Sequence, residues 1–144
     1  MTSRNIYLAL TAVLIVILSL TAACSRGDQA TNTLPPTEAP DLASIRLEDV
    51  LTNGKPTLAE FGWRECVPCK KMKPVLEELA VEYGDRLNVV IVEVYEHMDL
   101  TQQHEIITIP TQIIFDRSGQ EITRHIGYWD KERIVDQMKE IKIL

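Results

Sequence analysis

Trp63-Arg64-Glu65-Cys66-Val67-Pro68-Cys69-Lys70-Lys71-Met72-Lys73-Pro74 holds two cysteines at C-x-x-C spacing, and an amphipathic pattern begins at the second. Met72, Val75, Leu76, Leu79, Ala80 and Tyr83 recur at the i, i+3, i+4, i+7, i+8 and i+11 spacing of one helix face. Cys69 precedes Met72 on the same stripe and is expected to point inward. Cys66 falls at the helix mouth, where the first N–H groups lack intrahelical partners and the dipole favours an anion. A thiolate is stabilised at such a place, and the thiolate is the attacking form of cysteine. The spacing therefore predicts an exposed attacking sulfur and a shielded resolving sulfur within one turn, a dithiol/disulfide switch. Half of a zinc site and a structural disulfide are the competing readings. A zinc site takes four ligands, and neither a second C-x-x-C nor an H-x-x-x-H pattern is present.

The flanking sequence alternates strand and helix signals. Leu42 to Leu51 reads as a short helix with Leu47, Val50 and Leu51 on one face, ended by Asn53-Gly54. Thr57 to Phe61 reads as a strand feeding the motif. The long helix spans Val67 to Tyr83, stops at Gly84, and carries Pro74 inside it, where a proline kinks a helix. Val89-Val90-Ile91-Val92 is a β-branched run of the kind found in a parallel strand covered on both faces. Asp99 to Glu105 is a weak helical turn. Gln112 to Phe115, the turn Asp116-Arg117-Ser118-Gly119, and Glu121 to Ile126 read as a hairpin. Asp130 is placed to cap a last helix bearing Ile134, Met138 and Ile141, with Lys139 and Lys142 near its negative end. The order β-α-β-α-β-β-α predicts an α/β fold: a mixed central sheet flanked by helices.

The chain has 144 residues, of which 45% are hydrophobic, enough for one domain with a proper core. A formal charge of −6 argues against nucleic acid as a partner. Residues 1–24 read as a leader rather than part of the fold. Arg4 is their only charge, Ile6 to Leu20 is almost wholly apolar, and Thr21-Ala22-Ala23 precede Cys24. Ending at a cysteine, the leader resembles a bacterial lipoprotein signal, which implies lipidation of Cys24. It departs from that pattern at Thr21, where leucine is usual. An uncleaved signal anchor is the other reading, and both export the domain and tether it to a membrane. Residues 25–41, with Pro35, Pro36, Pro40 and little apolar content, read as a flexible linker. The domain proper is then 42–144.

Over roughly residues 55–141 the chain resembles the thioredoxin family. The resemblance is carried by Cys66-Val67-Pro68-Cys69-Lys70 opening the long helix, by Pro74, by Ile109-Pro110-Thr111, by the Asp116-Arg117-Ser118-Gly119-Gln120-Glu121 turn, and by Gly127 before the last helix. It implies a thioredoxin fold, a redox-active Cys66–Cys69 disulfide, and a client-binding loop of Thr108, Ile109 and Pro110 facing it. Only about 5–6% of X-Pro bonds are cis, so the residues alone predict a trans Pro110; the resemblance implies cis. Glu60 matches a buried acid that exchanges a proton with the resolving cysteine, although the family usually has Asp there. Glu93 ends the next strand where a lysine is common in the family. If both face the site, two carboxylates crowd one apolar space and one holds its proton near neutral pH. The alternative is that Glu93 turns to solvent.

Further departures concern tuning. Glu65 stands where the family often has Trp, and Val67 where it has Gly. Glu65 opposes a Cys66 thiolate, while Arg64, Lys70 and Lys71 favour it. Pro68 has no N–H to offer the sulfur. His97, His104 and His125 are scattered and read as surface or loop residues. Tyr128 and Trp129 either line the client groove or pack the last helix.

Three functions compete: an exported thiol–disulfide oxidoreductase, a copper- or zinc-handling module using the cysteine pair, and an interaction module on the same scaffold. The first needs no cofactor and no metal. Within it, Val67 and Pro68 stabilise the reduced form weakly, which predicts a reductant rather than an oxidase or isomerase. Resemblance to exported, tethered thioredoxins implies client proteins with cysteines or disulfides, as in cytochrome c maturation. It also implies a membrane thiol electron donor (CcdA/DsbD type) and a location outside the cytoplasm of a bacterium, in the periplasm or on the outer surface.

Overall fold

The computed structural model describes residues 40–144. The leader, Cys24 and most of the linker lie outside them. Among the described residues no helix is long and apolar enough to cross a membrane. The elements are α1 (Leu47–Leu51), β1 (Thr57–Gly62), α2 (Val67–Tyr83), β2 (Asn88–Glu93), α3 (Met98–Gln103), β3 (Thr111–Phe115), β4 (Glu121–Ile126) and α4 (Lys131–Glu140).

The strands form one mixed sheet in the order β2-β1-β3-β4. β1 runs parallel to β2 and antiparallel to β3, and β3 and β4 make the expected hairpin. Side chains alternate between two buried layers, as a pleated strand requires. Leu58, Val89 and Ile114 pack with Met72, Leu76 and Leu79 of α2 and Ile134 and Met138 of α4. Ala59, Phe61, Val90, Val92, Ile113 and Phe115 pack on the other face with Leu47 of α1 and Leu100 of α3. β2 is thus covered on both faces, although it lies at the sheet edge. Asp130 caps α4 by accepting from the Arg133 N–H at 3.0 Å.

The first helix is shorter than its sequence suggests. Residues 41–44 form a turn, in which the Ser44 N–H and hydroxyl both donate to the Asp41 carbonyl at 3.1 and 2.8 Å. The Leu42 carbonyl then accepts from Ile91 N–H at 3.1 Å, on the free edge of β2. A helical Leu42 would direct that carbonyl along the helix axis instead. The helix begins at Leu47, beyond this edge contact in the chain.

His104 also departs from expectation. It is half-buried at the end of α3, with its ring between Phe61 and Phe115, centroids 5.4 Å from each. Burial lowers its pKa below the ordinary 6.5. Trp129 is buried in the α2–α4 layer and donates its backbone N–H to Met72 Sδ at 3.2 Å, while Tyr128 stays exposed. His125 stacks on Trp129 at 4.5 Å.

The pairing brings four strand ends together. Gly62 lies opposite Glu93, Phe61 opposite Thr111, and Thr111 opposite Ile126. The loops carrying the cysteines, Pro110 and Gly127 therefore all leave the same end of the sheet.

Candidate active site

Cys66 and Cys69 form a disulfide with a Cα–Cα separation of 5.3 Å. Cys66 is the N-cap of α2, in an extended conformation (φ −74°, ψ 122°). Its Sγ accepts from the Cys69 N–H at 3.4 Å, the bond that a capping side chain makes to the third helical amide. Pro68 occupies a first-turn position whose missing N–H would have no intrahelical partner anyway. Cys66 is half-exposed and Cys69 is buried, 7% accessible, on the stripe with Met72, Leu76, Leu79 and Tyr83. The asymmetry read from the spacing is present.

Several charges near the sulfurs are engaged with one another. Lys70 Nζ lies 3.2 Å from Glu65 Oε2. Arg64 pairs with Glu96 and lies 3.9 Å from Glu93 Oε2, whose carboxylate also accepts the Arg64 N–H at 3.1 Å. The Arg64–Glu96 and Lys70–Glu65 pairs are exposed and worth little in stability, but they offset part of the field at Cys66.

Behind the disulfide is a cavity of about 210 Å³ lined by Cys69, Glu60, Glu93, Trp63, Arg64, Lys70 and Lys73, and walled by Asp41, Leu42 and Ala43. Glu60 and Glu93 thus face one space, and Glu93 does not turn wholly to solvent. Glu60 is 2% accessible, and its Oε1 has no hydrogen-bond partner among the described residues. Burial first, and the Glu93 charge second, raise its carboxyl from 4.5 to about 8. Gly62, two residues on and on the same strand face, makes room for it. A Cβ at Gly62 would come 2.6 Å from Glu60 Oε1.

At the neighbouring strand end, Ile109–Pro110 is a cis peptide. Pro110 is buried, Ile109 half-buried and Thr108 exposed. The loop is held by Thr111 Oγ1 donating to the Thr108 carbonyl at 2.6 Å and by Gly127 N–H donating to the Pro110 carbonyl at 2.8 Å. Gly127 has φ +100°, a conformation that favours glycine.

Sequence reading missed Gly62, Gln112 and Tyr95. Tyr95 meets Trp63 edge-on at 5.1 Å. Gln112 had a readable signal, since alternation with Ile114 puts it on a core-facing position. Among the described residues no three His, Cys, Asp or Glu side chains gather in a metal-holding group.

A family model described as Thioredoxin matches residues 43–140. Thioredoxin of Alicyclobacillus acidocaldarius subsp. acidocaldarius is 34% identical over 100 residues, 69% of this chain and 94% of that protein. Thioredoxin of Acidithiobacillus ferridurans is 41% identical over 86 residues, 60% of this chain and 79% of that protein. The solved structure of a mutant thioredoxin from Halobacterium salinarum NRC-1 is similar with a TM-score of 0.60 at 26% identity, covering 65% of this chain and 80% of that one. The family match runs from the turn before α1 to the end of α4 and takes in both cysteines and the whole sheet, so this chain belongs to the thioredoxin family and is a thiol–disulfide oxidoreductase.

Proposed function

We propose that this protein is an exported reductase, tethered to a bacterial membrane through lipidated Cys24, that reduces disulfides of client proteins such as those in cytochrome c maturation. The Cys66 thiolate attacks a client disulfide, forming a mixed disulfide and releasing one client thiolate. Cys69 then gives its proton to the ionised form of Glu60 and attacks Cys66 Sγ. The second client thiolate leaves, and Cys66–Cys69 is oxidised by two electrons. A membrane thiol carrier returns them. Thr108, Ile109 and Pro110 form the loop on which the client chain rests.

The observation that carries the division of roles is burial: Cys66 is half-exposed at the helix mouth, while Cys69 lies on the cavity shared with Glu60. The reducing direction is supported by what surrounds Cys66. Val67 and Pro68 offer no side-chain donor, one amide reaches the sulfur, and Lys70 is occupied by Glu65. A weakly stabilised thiolate places the couple nearer thioredoxin's potential of about −270 mV than the oxidant DsbA's of about −120 mV.

A redox titration of the pair against glutathione and dithiothreitol buffers tests the direction. A potential above roughly −180 mV, the range of protein disulfide isomerase, overturns it in favour of an oxidase or isomerase. The tether is supported by the leader, and fractionation of Cys24→Ser tests it. Loss of membrane association is expected. Retention in the membrane with residues 1–23 still attached assigns anchoring to the leader itself.

A further inference from the structure

Glu60, Gln112 and His125 lie in one row across the sheet. Glu60 is paired directly with Gln112 between β1 and β3, and Gln112 with His125 between β3 and β4. Directly paired residues of an antiparallel ladder project from the same face, with Cβ atoms about 4.5–5.5 Å apart. That face is otherwise the apolar layer of Leu58, Val89 and Ile114. Gln112 is fully buried, and both its Nε2 and its Oε1 lack a hydrogen-bond partner among the described residues, as does Glu60 Oε1. Three unpartnered polar atoms therefore sit on two adjacent, buried side chains of equal length. A buried amide is costly unless a neighbour uses it, and the Glu60 carboxyl is the cross-strand neighbour.

We propose that Gln112 is a positioning residue for Glu60: its side-chain amide, which makes no hydrogen bond among the described residues in this structure, turns across the β1–β3 pair to the carboxyl when Glu60 ionises and favours that form. An amide can serve both states of an acid, donating through Nε2 to the carboxylate and accepting through Oε1 from the neutral acid. The bond to the ionised form is roughly twice as strong. Gln112 thus opposes burial and Glu93, which both favour the proton. The consequence for exchange rests on Glu60 being the acceptor of the Cys69 proton; the consequence for the titration of Glu60 itself does not.

The test replaces Gln112 by Leu and, separately, by Met, in the full-length protein held in detergent. The ¹³C signal of the Glu60 carboxyl, assigned by its loss in Glu60→Gln, is followed against pH in the oxidised protein, where neither cysteine titrates. The other charged or titratable groups facing this site are unchanged in both variants: Glu93 of β2, Asp41 of the turn, Arg64, Lys70 and Lys73 beside the cysteines, and His125 of β4. In both variants the Glu60 midpoint is expected to rise by about one pH unit, a tenfold gain in proton affinity, and the pH–rate profile of disulfide exchange to move with it. An unchanged or lowered midpoint in both overturns the proposal. A raised midpoint with an unmoved rate profile upholds it and instead removes Glu60 from the proton transfer.

Discussion

Cys69→Ser is expected to accumulate mixed disulfides with client proteins through Cys66, while Cys66→Ser accumulates none. The half-exposed Cys66 can reach a client sulfur; the buried Cys69 can reach only Cys66. Removing the resolving thiol leaves attack intact and blocks release, so the covalent intermediate persists. Removing the nucleophile is expected to lower disulfide exchange on the order of 1,000-fold or more. Non-reducing electrophoresis after alkylation reads the trapped species directly. Equal trapping by the two variants would reverse or erase the assigned roles.

Glu60→Gln is expected to slow exchange near neutral pH, on the order of 100-fold, the lower end of what a positioned acid or base contributes. The same substitution should stabilise the fold, and the gain should depend on pH with a definite sign. The folded carboxyl titrates at about 8, against an ordinary 4.5. Between those values the native state keeps a proton that the unfolded chain has released. The contribution of Glu60 is therefore fully present below 4.5 and is lost as pH rises through about 8, by up to about 1.4 kcal/mol per pH unit. A glutamine does not titrate, so the stability gap between Glu60→Gln and the parent should widen as pH rises across that window. Denaturant unfolding at several pH values measures the gap. A gap that stays flat would mean that Glu60 does not hold its proton in the folded state.

The two experiments separate the covalent step from the proton step. Trapping depends on where the sulfurs lie and is indifferent to Glu60. The pH-dependent stability gap depends on the burial of Glu60 and needs no client. If trapping succeeds and the gap stays flat, the exchange chemistry stands and Glu60 is already ionised at neutral pH, able to accept the Cys69 proton without first losing its own.

What the sequence determined by itself is local. The order of elements follows from hydrophobic periodicity, and the boundaries of α2 and α4 follow from Cys66, Gly84 and Asp130, because caps and stop signals act over a few residues. The unequal exposure of Cys66 and Cys69 was legible for the same reason: three residues of helix rotate one side chain inward and leave the other at the mouth. The tertiary structure decided whatever depends on neighbours distant in the chain. The turn at Asp41 forms because Leu42 finds the free edge of β2 at Ile91. His104 is covered because Phe61 and Phe115 close over it. Asn88, polar and unremarked in its apolar strand, is buried as the donor to Val50 O, Asn53 Oδ1 and Thr57 Oγ1, which ties the end of α1 to the start of β1. Glu60 and Glu93 share a cavity, Gly62 clears space for a carboxylate, and Gln112 lies beside it, because strand register brings together residues up to 52 positions apart. Periodicity says which face a residue takes, but register, fixed by packing of the whole sheet, says which residue it meets.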